Sequence, residues 1–129
     1  MSRIISYTLL VRDYFLKMLS IDIQEPWYTH VKNKKKTIEG KLNKGTAAKF
    51  KLDDIVIVYK HDMSENIMVK VKRLTKYSSF REYLSIEGLN NTLPEIQTIE
   101  DGENIYYKFY TKENEKLYGI LAVEIEVID

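Results

Sequence analysis

The chain has 129 residues, 44% hydrophobic and 30% charged, with two Pro, five Gly and no Cys. That is the size of one domain around one continuous core; the lack of cysteine excludes disulfides, thiolate nucleophiles and Cys-based metal centres. Two histidines, His30 and His61, build no His-rich site, so no metal and no cofactor is expected, and no apolar run approaches the roughly 18–20 residues that cross a bilayer.

The first residues lack the basic-then-apolar pattern of a secretion leader, so an intracellular, cytoplasmic protein with no membrane partner is expected. The net charge of +1 hides a division: residues 32–51 hold eight lysines against one acid, and residues 95–129 nine acids against three lysines. Segregated charge marks where an anionic partner can sit.

In chain order, Tyr7–Leu19 carries Leu10, Tyr14, Phe15 and Met18 at helical spacing. A helical extension over residues 1–18 is therefore expected ahead of a domain over 19–129. Ser20–Ile23 reads as a short strand. Glu25-Pro26-Trp27 reads as a helix start, because proline at the first turn loses no needed N–H; Trp27 and Val31 fall on its buried side and Asn33 stops it. Thr37–Leu42 alternates, placing Glu39 and Lys41 on one face about 7 Å apart, with Lys36 at the junction leaning over the same cleft.

Gly45-Thr46 turns the chain into Asp54–Tyr59, a nearly continuous apolar strand of central type. Met63–Asn66 turns again into Ile67–Leu74. Ser78-Ser79 caps a helix carrying Phe80, Tyr83, Leu84 and Glu87. Gly88–Pro94 reads as a loop. Glu95–Tyr110 is ambiguous, with Ile105, Tyr106, Phe109 and Tyr110 at helical spacing. Thr111 caps a short turn, and Gly119–Ile128 is the clearest strand, with Glu124 and Glu126 facing solvent. The sum is an α+β domain on a small mixed or antiparallel barrel with helices at its rim.

The densest chemistry is Gln24-Glu25-Pro26-Trp27 followed by Lys34-Lys35-Lys36-Thr37-Ile38-Glu39-Gly40-Lys41. It resembles the ASCH family of the PUA-like superfamily, whose members pair a Pro-Trp helix start with a G-x-K-x-x-E-x-R motif. Lys36 and Glu39 match the motif's lysine and glutamate; Lys34 stands at the glycine and Lys41 at the arginine. The resemblance continues through Leu52-Asp53-Asp54-Ile55, where Asp53 replaces a glycine. It extends to Tyr77-Ser78-Ser79-Phe80, to Phe109–Glu113 and to Tyr118-Gly119-Ile120-Leu121-Ala122, covering Ile21 to Asp129.

The resemblance implies a PUA-like mixed β-pseudobarrel of five to six strands with peripheral helices, and a cleft along Lys36, Glu39 and Lys41. It implies RNA or nucleotide-like ligands and a role in RNA metabolism or transcription regulation. Trp27, Lys34, Lys35, Lys36, Glu39, Lys41 and Tyr110 are the expected ligand or nucleic-acid contacts, Trp27 and Tyr110 by base stacking and the lysines through phosphate.

One bacterial branch of the family deacylates 4-acetylcytidine. If the chain were such an amidohydrolase, Lys36 and Glu39 would be its catalytic pair, although that branch places a threonine where Glu39 stands. Lysine for arginine at Lys41 replaces a planar fork by a point charge. A third reading is a protein-interaction module whose N-terminal helix recruits a partner.

Overall fold

Residues 18–128 are described in the computed structural model. Apart from Met18 and Leu19, which carry no helix, the segment expected to be helical over Tyr7–Leu19 lies outside them, and with it the expected protein partner for that helix. Alternating and β-branched sequence builds five strands: β1 (Ser20–Ile23), β2 (Ile38–Leu42), β3 (Ile55–Lys60), β4 (Asn66–Tyr77) and β5 (Ile120–Val127). They form one mixed sheet in the order β1-β3-β4-β5-β2, with β1 parallel to β3 and the other pairs antiparallel. The sheet curls into a half-barrel with helices packed on it, an α+β pseudobarrel. A register shift between Val71 and Arg73 interrupts the β4–β5 ladder, and such bulges bend and twist a strand. The two strands left at the edges are β1 and β2.

Apolar side chains from both faces are buried, in two clusters. Ile21, Ile23, Val56, Val58, Val69 and Val71 join Leu121, Val123 and Ile125 of β5 on one side. On the other, Ile120 and Ala122 of β5 meet Ile38, Leu42, Phe80, Tyr83, Leu84, Leu93 and Tyr106. The beginning of β5 is thus covered on both faces, whereas Glu126 is exposed and Glu124 half-buried. Glu124 does not simply face solvent: it lies 3.4 Å from the Arg73 guanidinium.

Five helices complete the chain: α1 (Trp27–Lys32), α2 (Phe80–Glu87), α3 (Leu89–Thr92), α4 (Ile99–Tyr106) and α5 (Lys112–Tyr118). Side-chain oxygens of Ser79, Thr98 and Thr111 accept from Glu82 N, Asp101 N and Asn114 N, satisfying first-turn donors that have no partner within the helix. The stretch read as a loop over Gly88–Pro94 contains α3, where Thr92 Oγ1 donates to Gly88 O. β4 runs three residues past Leu74, because Thr75, Lys76 and Tyr77 pair with the start of β5. β3 lies inside the sheet, second from its edge, and β4 takes the middle.

Candidate functional site

The open edges of the sheet are where the charged motif lands. β2 pairs antiparallel with β5, so Glu39 and Lys41 stand opposite Val123 and Leu121 on one face. Ile38 and Leu42 go into the cluster on the other face. Gly40 lies so close to Tyr83 that a Cβ there would sit 2.6 Å from the ring. This contact draws the β2 backbone against α2 and fixes where Glu39 and Lys41 emerge.

Lys36 does not lean over the cleft; it is built into its floor, 1% exposed. Its ammonium donates to Ile38 O at 2.7 Å and to Thr92 O, and lies 3.5 Å from Glu39 Oε1. Two carbonyls and a carboxylate take its three protons, as a buried charge requires. Burial pushes its pKa down while Glu39 works to raise it.

Glu39 is 6% exposed. Its Oε1 accepts from Gly40 N at 2.8 Å and from the Tyr106 hydroxyl at 3.4 Å. Among the described residues every hydrogen bond and ion pair to this carboxylate falls on Oε1, which leaves Oε2 to the cavity. The Tyr106 and Tyr83 hydroxyls lie 2.9 Å apart, and burial holds both phenols well above their ordinary range, so they remain neutral.

Lys41 Nζ reaches across from β2 to donate to Asp22 O on β1 at 3.1 Å. Burial lowers its pKa, but Glu39, then Tyr110 and Asp22, outweigh burial and the net shift is upward, keeping it a cation. Burial raises the Tyr110 phenol against the opposing pull of Lys41. At the mouth, His61 Nδ1 lies 3.1 Å from both Asp22 carboxylate oxygens.

These groups surround a cavity of about 240 Å³. Lys36, Glu39, Gly40 and Lys41 line it from β2 and the junction before it, Asp22, Ile23 and Gln24 from β1 and its end, and Trp27 from α1. Ile105, Tyr106, Phe109 and Tyr110 close the other side. Of the residues singled out in the sequence, Trp27, Lys36, Glu39, Lys41 and Tyr110 therefore meet in one place. Lys34 and Lys35 do not: both are exposed and line no part of this cavity, Lys34 bordering a separate recess with Ile125 and Val127. His30 is buried away from it, 3.7 Å from Glu95.

Sequence reasoning assigned no contact to Asp22, Gln24, His61, Phe109 or Tyr106, the last of which also belongs to the second apolar cluster. Asp22 had a signal, a polar residue between two inward isoleucines on an edge strand. His61 had none, since only the parallel β1–β3 pairing brings it beside Asp22.

An ASCH domain family model matches residues 21–129. The chain belongs to the ASCH domain family. Among solved structures, the ASCH fold seen here is similar to the crystal structure of the hypothetical protein PH0355 (TM-score 0.76, 38% identity, covering 86% of this chain and 99% of that one). It is also similar to the solution NMR structure of protein PF0455 from Pyrococcus furiosus (TM-score 0.70, 36% identity, 87% and 98% covered). No curated protein matches the chain. At the two positions where this ASCH sequence departs from the glycines of the resemblance, Lys34 and Asp53, the backbone has φ of 64° and 70°. Glycine occupies that region without the steric cost other residues meet. No helix among the described residues is long and apolar enough to cross a membrane.

Proposed function

We propose that this ASCH domain binds RNA, seating one nucleotide in the cavity between β1 and β2. The observation that carries the reading is that Glu39, whose every contact falls on Oε1, and the Lys41 cation line one nucleoside-sized cavity with aromatic walls. Ligand sites of this type are mainly apolar, with a few convergent polar groups. A carboxylate oxygen there accepts from the amino or imino N–H of a base. Lys41 supplies a cation for an anionic or carbonyl group, and the rings of Trp27, Phe109 and Tyr110 supply stacking surface, worth about 1–3 kcal/mol per base. Lys36 is a positioning residue in this reading: with its protons committed to three acceptors, it holds Glu39 in place and is not free to act as a nucleophile. Lys34 and Lys35 act at longer range, as part of the basic segment that draws in a polyanion.

The test is fluorescence anisotropy with a labelled single-stranded RNA across a series of salt concentrations. Affinity is expected to fall as salt rises, and Glu39→Gln and Lys41→Ala each to weaken binding about tenfold or more. RNA binding that neither substitution changes overturns the assignment. Release of acetate from 4-acetylcytidine, lost in Glu39→Gln, would replace the binding module by an amidohydrolase.

A further inference from the structure

The gap between the two edge strands holds more than one cavity. A second, of about 310 Å³, lies alongside the first and shares Asp22, Lys41 and Tyr110 with it. Along β1 and just past it the first cavity takes Asp22 to Gln24 and the second Ser20 to Asp22; along β2 and just past it the first takes Glu39 to Lys41 and the second Lys41, Leu42 and Lys44. The Lys41–Asp22 contact is therefore a partition across one groove rather than its end. The second compartment has an apolar floor that includes Ile21 and Phe50, and Lys44 and Thr46 stand at its exposed rim.

We propose that the second compartment is the subsite for the adjoining nucleotide, so that the ligand is a single strand of at least two nucleotides. This rests on the reading of the first cavity as a nucleotide site. Charge complementarity selects the occupant: Lys41 stands on the partition and Lys44 beyond it, within the segment that carries eight lysines against one acid. A phosphodiester joining two seated nucleotides must cross that partition. Two compartments of nucleoside size, one on each side of a cation, match the repeat of a single strand, base then phosphate then base. A duplex, whose bases are stacked and paired inward, cannot place successive bases in separate cavities.

The experiment compares, by calorimetry on the full chain, the four ribonucleoside 5′-monophosphates with the sixteen ribodinucleotides carrying a 5′-phosphate. The best dinucleotide is expected to bind about tenfold or more tighter than the best mononucleotide. Thr46→Trp, which fills the second compartment from its exposed rim, and Lys44→Glu should both collapse that ratio towards one, with thermal melts confirming that each variant is folded. Mononucleotide binding with no dinucleotide gain, or a gain that survives both substitutions, overturns the second subsite and assigns that compartment to another occupant, such as a protein segment. No binding of either set overturns the reading of the first cavity and the second with it.

Discussion

Two polar networks border the second apolar cluster, and they differ in how far their groups are answered. Beneath α2, the Arg73 guanidinium makes paired contacts to Glu87 at 2.9 and 2.6 Å and a third to Thr75 Oγ1, while the Tyr77 hydroxyl also donates to Glu87. Every group there is answered by another on the protein, and the network pins β4 to α2. In the groove, Lys36 is answered three times, Glu39 only on one oxygen, and Lys41 by the Asp22 carbonyl and the Tyr110 hydroxyl at the cavity's edge. A closed ionic network is scaffold; one that leaves a carboxylate oxygen open to a cavity is equipped for a ligand.

The contrast breaks most clearly at Lys36. Lys36→Met leaves Glu39 and two buried carbonyls without their cation, and should cost about 3–5 kcal/mol in chemical denaturation. Glu39→Gln added to Lys36→Met should recover part of that loss. Arg73→Met should cost less, about 2 kcal/mol, because the arginine is half in solvent while its buried Glu87 partner is stranded. RNA affinity should be unchanged in Arg73→Met; a parallel loss would join the two networks and break the comparison.

Titration gives a finer test. Hydrogen bonds from Arg73, more than any other cause, hold the Glu87 carboxyl below its ordinary 4.5. A carboxyl depressed on folding contributes stability that is present above about pH 4.5 and is lost as pH falls through its folded value. The slope of stability against pH below 4.5 should therefore be shallower in Glu87→Gln than in the native chain.

The smallest effects lie outside both networks. Lys34→Gly should raise stability by about 1 kcal/mol, since a left-handed φ strains a residue with a Cβ. Asp53→Gly should gain less, because a short polar side chain tolerates that region. A change in RNA affinity with Asp53→Gly would show that stability alone moves the site.

Strands and caps were legible in the sequence because they are local. Ser79 with Glu82 three residues on marks the start of α2, and the alternation of β5 needs no partner to be recognised. Thr98 with Asp101 carries the same signal for α4, and reading it would have resolved the ambiguous stretch. What could not be read was distance across the fold. The spacing of Lys36 and Glu39 placed them together but could not tell floor from rim, because that depends on the carbonyl of Thr92, 56 residues away. His61 and Asp22 meet only through strand pairing. Nor did its neighbours show that Lys34 sits exposed, with a left-handed backbone, outside the cavity.

The Lys41–Asp22 bridge also bears on solubility. A half-barrel leaves two strands with unpaired backbone groups, and such strands recruit strands from other molecules. Here β2 is mostly buried and several of its backbone groups are taken, Gly40 N by Glu39, Ile38 O by Lys36 and Leu42 O by Lys44 N, while Lys41 holds Asp22 O on β1, leaving an incoming chain no continuous ladder to join. Replacing Lys41 would therefore release a self-association hazard along with the proposed ligand contact, and light scattering of Lys41→Ala at rising concentration would register it.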